Sequence, residues 1–236
     1  MGYRGTFNFQ LSTFSLKKNQ QKGFTLIEIL ISVGIITLLM SISAFHFNSA
    51  DKSEFVRSSA RRLADALHSA ESFALSGTIA QYEAAQSYGV HTDITSQQIV
   101  LFADQNRTNG VGRWNGGTAD AGGKTDALMA PALTYDTRGR GDIKLVTIDV
   151  AYIPQPAEAC IKDTAGNCHK EATSIDIAAG SPNARIIVGG IIDKATGIEV
   201  SIPTVAFVTF TVKNIKTNTS AQVLIHTLSG RIDVDY

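Results

Sequence analysis

From Ile29 to Ala50 the chain carries no formally charged residue. Those 22 residues would reach about 33 Å as a helix, enough to cross a bilayer. Basic residues precede the run. Residues 1–23 hold Arg4, Lys17, Lys18 and Lys22 and no acid. The positive-inside rule therefore puts the N-terminus in the cytoplasm and everything past the span on the other side. Formal charge is zero overall, with 21 basic and 21 acidic residues, but residues 24–236 are left with 17 basic against 21 acidic. That is not the basic surplus expected of a nucleic-acid binder.

Glu28 stands at the edge of the apolar run. A carboxylate inside a bilayer costs about 2.5–3.5 kcal/mol on insertion scales, less near an interface, so it usually has a partner. An ordinary secretory signal would be cut after the apolar region, and Ser41-Ile42-Ser43 loosely offers such a site before Ala44. Phe45 and Phe47 continue the apolar character past it, and Glu28 is left without a role. A plain signal anchor explains the lysines and the span, but again not Glu28. A cut between Gly23 and Phe24 does explain it. The new α-ammonium would lie four residues from the carboxylate and could pair with it, within one chain or between neighbours.

Gly23-Phe24-Thr25-Leu26-Ile27-Glu28, following basic residues and opening an apolar helix, resembles the signal of type IV prepilins and type II secretion pseudopilins. The resemblance implies a membrane prepilin peptidase that cleaves after Gly23 and methylates Phe24. It also implies that Glu28 guides docking against other pilin-like subunits. Two features depart from the commonest pattern. The leader, residues 1–23, is long, and its first part is a mis-called start or a real extension. Phe45 stands where many major pilins carry a helix-kinking proline, which favours a minor subunit.

Helical periodicity continues past the span. Leu63, Ala66, Leu67, Ala70, Phe73 and Ala74 recur at i, i+3, i+4 spacing, with Arg61, Arg62, Asp65 and Glu71 on other faces. Gly77 is the stop signal. The expectation is one helix over 24–76, transmembrane over about 24–47, its second half packed on a sheet. Gly34, Thr37 and Ser41 form a small-residue face where another helix could approach.

Beyond Gly77, β-branched runs alternate with Gly, Asn and Asp clusters. Strands are expected at 87–92, 98–103, 144–153, 185–188, 204–212, 221–227 and 231–234. The fold class is thus α+β, and the resemblance implies a pilin fold, with a long N-terminal helix packed on an antiparallel sheet head at 77–236. The segment from Asp104 to Thr125 reads as a long surface loop in which Trp114 is either a binding contact or a clamp. Residues 104–110 loosely resemble a calcium loop, with the glycine one place late and no closing glutamate. Tyr88-Gly89-Val90-His91, Ile99 to Asn106 and Leu228-Ser229-Gly230-Arg231-Ile232 resemble the head of H-type minor pseudopilins and FimT-like minor pilins. Residues 154–184 match nothing in that pattern and read as an insertion. They hold Cys160 and Cys168, which outside the cytoplasm read as a disulfide and otherwise as two thiols.

The implied function is that of a structural subunit in a type IV pilus or a type II secretion pseudopilus. It would sit in the inner membrane with its head periplasmic, then enter a filament. The alternative is a DNA-binding or adhesive minor pilin. Arg107 and Arg113 beside Trp114 make only a thin basic patch, and the chain ends with more acid than base, so nucleic acid is not the expected partner. No nucleophile elbow, phosphate loop or zinc spacing is present, so neither an enzyme nor a cofactor is expected.

Overall fold

A computed structural model of the protein describes residues 24–80, 83–105, 112–116, 125–136, 139, 141–154, 164–180, 182–202 and 204–236. The chain divides into two units, Met1–His46 and Phe47–Tyr236. Helix α1, Leu26–Ser76, contributes to both. In the first unit, Leu26–Ser43 has a mean hydropathy of 2.3, no part of it is buried, and it is long and apolar enough to cross a membrane.

In the second unit α1 turns one stripe inward: Val56, Ser59, Ala60, Leu63, Ala66, Leu67, Ala70 and Ala74 are buried. Their spacing is that of a helix with one core-facing side. The helix stops where glycine permits it. Gly77 has φ +61°, and the Thr78 N–H donates to the Phe73 carbonyl at 3.3 Å, the long bond of a Schellman cap.

Thirteen strands follow among the described residues. β1 (Ile79–Ala80) and β2 (Glu83–Ala84) form a separate pair. The rest form one antiparallel sheet of eleven strands: β3 (Ser87–Asp93), β4 (Gln98–Asp104), β5 (Ala127–Leu128), β6 (Leu133–Thr134), β7 (Ile143–Tyr152), β8 (Cys168–Gly180), β9 (Arg185–Asp193), β10 (Glu199–Val200), β11 (Val205–Asn214), β12 (Ser220–His226) and β13 (Arg231–Asp235). The seven strands expected from the sequence are all present, as β3, β4, β7, β9, β11, β12 and β13.

The sheet turns on β8, a strand within 154–184 that the sequence reading did not anticipate. Ala172 pairs with Ile148 of β7 and with Asp193 of β9, so those strands lie on opposite edges of β8. From Ser174 to Gly180 the partners are β3 and β9. Thus β9 follows one edge, while β7 and then β3 share the other. Two register shifts between Ala172 and Asp176 mark the point where β8 passes from one partner to the next. Without β8 the β7–β11–β12–β13 wing and the β3–β4 hairpin would have no common strand.

One face of both wings meets α1 in a single apolar cluster. It includes Leu63 and Leu67 of the helix with Tyr88, Ile99, Ile148, Ile177, Val208, Phe210 and Ile225 of the sheet. Ser59 and Tyr135 bridge the layers: Ser59 Oγ donates to the Tyr135 carbonyl at 2.6 Å, and the Tyr135 and Thr92 hydroxyls share a bond of 2.7 Å. Burial pushes the Tyr135 phenol far above its ordinary range, so it remains a neutral hydrogen-bonding group. At the far end, Tyr236 returns to the helix. Its ring receives the guanidinium groups of Arg57 and Arg61 at 5.0 and 5.5 Å, and its hydroxyl accepts from Arg61 Nε at 2.9 Å.

The opposite face of β4, β3, β8 and β9 is covered by residues 112–116. Gly112 N–H donates to Asp104 Oδ2 at 2.6 Å, Trp114 N–H to Asp176 Oδ2 at 3.2 Å, and Asn115 N–H to Asp126 Oδ2 at 2.8 Å. The Trp114 ring packs 5.6 Å from that of Phe102. Trp114 is therefore the clamp of the two readings left open by the sequence. Arg113 ion-pairs with Glu199 of β10.

Candidate processing and assembly site

The N-terminal unit explains why Thr25 and Glu28 stand three residues apart. Helix α1 begins at Leu26, one residue after Thr25. The Glu28 N–H donates to Thr25 Oγ1 at 3.3 Å, and Glu28 Oε2 accepts from the Thr25 N–H at 3.2 Å and the Thr25 hydroxyl at 3.1 Å. This is a capping box, in which two of the donors that a helix start leaves unpaired are satisfied reciprocally. The signal was legible as Thr-x-x-Glu before an apolar run, but Thr25 was not singled out from the sequence. Glu28 thus has a role within its own chain, which neither the secretory-signal nor the anchor reading supplied. Its carboxylate also sits in the first turn, where the helix dipole favours negative charge.

No cation lies within ion-pairing range of Glu28 among the described residues. Phe24 is 82% exposed, and Gly23 lies outside the described residues. Further along, Ser32 donates to the Glu28 carbonyl at 2.7 Å, Thr37 to Val33 at 2.5 Å and Ser41 to Thr37 at 2.9 Å. These three hydroxyls are therefore satisfied one turn back and can enter a hydrocarbon environment without orphaned donors. A methyl group added at Gly34 would meet nothing within 4 Å, so the small-residue face is open.

Residues 18–44 match the prokaryotic N-terminal methylation motif. The motif takes in Gly23, Phe24, the capping pair Thr25 and Glu28, and nearly all of the apolar span. It supports a type IV pilin-like protein processed as a prepilin and anchored through this helix. No curated protein and no solved structure matches the chain.

The remaining sequence candidates fall in the head. Cys168 is fully buried at the start of β8, opposite Tyr152, and is disulfide-bonded; Cys160 lies outside the described residues. Each histidine with a described side chain faces a carboxylate: His68 and Glu71 at 3.3 Å, His91 and Asp176 at 2.6 Å, His169 and Asp149 at 2.6 Å, His226 and Asp233 at 3.5 Å. They are scattered over different elements, and no group of three or more metal-binding side chains comes together among the described residues. Of the two arginines considered for DNA contact, Arg113 is engaged with Glu199, and Arg107 lies outside the described residues.

Proposed function

We propose that the protein is a minor pilin or pseudopilin subunit of the H-type and FimT-like kind. A prepilin peptidase cuts between Gly23 and Phe24 and methylates the new Phe24 amine. The chain then waits in the inner membrane with its head, residues 77–236, in the periplasm. It is drawn from there into a type IV pilus or a type II secretion pseudopilus beside other pilin-like subunits. Its work is structural, without catalysis or cofactor, and a Cys160–Cys168 disulfide ties down the segment entering β8.

The observation that carries this reading is the methylation motif, with Glu28 in the first turn of the helix. Cleavage would supply a cation beside it. The α-ammonium of Phe24 keeps its charge after methylation and offers Glu28 an ionic partner. Pairing across chains would favour one register over others. Its value is specificity more than net stability, because burying both ions offsets much of their attraction. The hairpin of β3 and β4, and the Leu228-Ser229-Gly230 turn between β12 and β13, occupy the stretches that resemble the subfamily.

Replacing the carboxylate separates processing from docking. Glu28→Val makes the span more apolar, so membrane insertion and cleavage should remain at wild-type levels. Recovery of the subunit in sheared filaments should fall at least about tenfold, the equivalent of about 1.4 kcal/mol of lost registry. Equal recovery of Glu28→Val and wild type in that fraction would remove the docking role.

A further inference from the structure

The outer face of β4, β3, β8 and β9 is buried by a short segment held mainly through carboxylates. Asp104, Asp126 and Asp176 are each at most 5% exposed. Each accepts a backbone N–H from residues 112–116. Beneath the segment the backbones approach closely. A methyl group at Gly112 would fall 3.0 Å from Ala178 Cβ and 3.2 Å from Ile187 Cγ2, and one at Gly189 would fall 3.3 Å from Arg113 Cγ. Covered residues include Phe102 and Ala178, both at most 1% exposed and both outside the cluster that packs on α1. This is a second, smaller apolar layer, covered among the described residues by 112–116.

We propose that residues 112–116 form a proton-locked cover, closed most firmly in mild acid and lifting from the sheet toward neutral and alkaline pH. Lifting would uncover an apolar strip that includes Phe102, Ala178 and Ile187.

The geometry places the lock at Asp126. Its Oδ2 holds the Asn115 N–H, whereas its Oδ1 is buried without a hydrogen-bond partner. An ionised carboxylate there leaves a buried charged oxygen without a hydrogen bond, which costs more than the neutral hydroxyl that a proton would leave in its place. Among the described residues, the charged neighbours lie on the packed strands and in 112–116. Asp104 on β4 and Asp176 on β8 add negative charge. Asp176 is balanced by His91 of β3 and by nearby Arg113, which also pairs with Glu199 of β10.

Burial raises the Asp126 carboxyl to about 6 from an ordinary 3.8, with Asp104 and Asp176 adding to the rise and backbone N–H groups opposing it. Burial also raises Asp176, with His91 opposing. The sign follows from linkage. A carboxyl that binds its proton more tightly in the closed form stabilises closure fully below the open-form value. That contribution is lost as pH climbs through the closed-form value. With those two Asp126 values, the opening equilibrium should rise about tenfold between pH 5 and pH 8.

The test uses the full chain in detergent micelles. Amide exchange of 112–116, corrected for intrinsic rates, is followed from pH 5 to pH 8 alongside β11 as an internal standard. Opening of 112–116 should increase about tenfold while β11 remains unchanged, and Asp126→Asn should flatten the increase. Trp114 is the chain's one tryptophan, so acrylamide quenching of its fluorescence reports the same event in the unsubstituted protein. That readout decides the matter if Asp126→Asn does not fold. Flat exchange and flat quenching in the wild type would overturn the proposal. So would β11 changing in step with the cover, or an undiminished pH dependence in a folded Asp126→Asn.

Discussion

Gly190→Ala should cost the head about 3–5 kcal/mol, a large share of a domain's usual stability. Gly190 has φ +53°, where a side chain adds roughly 1 kcal/mol of strain. The greater part of the cost comes from what the methyl group would meet. An added Cβ would lie 2.0 Å from Asp176 Oδ2 and 2.7 Å from Asp176 Cγ, so the carboxylate would have to leave. Asp176 is tied to His91 at 2.6 Å and to the Trp114 N–H at 3.2 Å. Breaking charge-assisted bonds to a buried carboxylate costs about 1.5–3 kcal/mol. Thermal unfolding of the full chain in detergent should show a midpoint lowered by about 10 °C or more. Adding Asp176→Ala removes the obstacle, so the double variant should lose less than the sum of the two single losses. A Gly190→Ala protein within about 0.5 kcal/mol of wild type would show that Asp176 does not occupy that space.

Leu63→Ala should lower stability by about 3 kcal/mol through a different route. Leu63 is fully buried on α1, in the cluster that joins the helix to Ile148, Val208 and Phe210 of the sheet. Truncation removes the transfer free energy of the lost carbons and leaves a cavity that a helix packed on strands can close only in part. The midpoint should fall by about 6–12 °C. The pH dependence of the cover over 112–116 should be unaffected, because Leu63 belongs to the inner layer. A loss below about 1 kcal/mol would mean that the helix stripe is not the main support of the sheet.

What could be read in advance follows the physics of each segment. The span was legible as an unbroken uncharged apolar run, and the stripe of α1 because burial on one side writes a 3.6-residue period into the sequence. Gly77 was legible because few other residues suit a helix-ending φ of +61°. Strand β11 was legible because its inner residues Val208, Phe210 and Val212 alternate with outer threonines. Strand β8 was not. Its residues Ala172, Ile175, Asp176, Ile177, Ala178 and Ala179 are buried on both faces, beneath α1 on one side and residues 112–116 on the other. Double burial erases alternation, and the register shifts near Ser174 interrupt what remains. Asp176 then looks like a surface residue until its partners are seen.

At the N-terminus, Gly23, Phe24 and Glu28 stood out through their resemblance to a prepilin signal, and Glu28 also through the cost of a carboxylate at the edge of an apolar run. Thr25 did not stand out because its part in the motif is a local one: it caps the helix start together with the same Glu28 carboxylate.

The central claim is the cut after Gly23. The direct measurement is the intact mass and N-terminal sequence of the protein recovered from membranes, with and without an active prepilin peptidase. The account predicts a mature chain starting at methylated Phe24, replaced in the peptidase-deficient strain by the uncut precursor. An uncut chain in both strains, or a terminus near Ala44 or beyond, would contradict it.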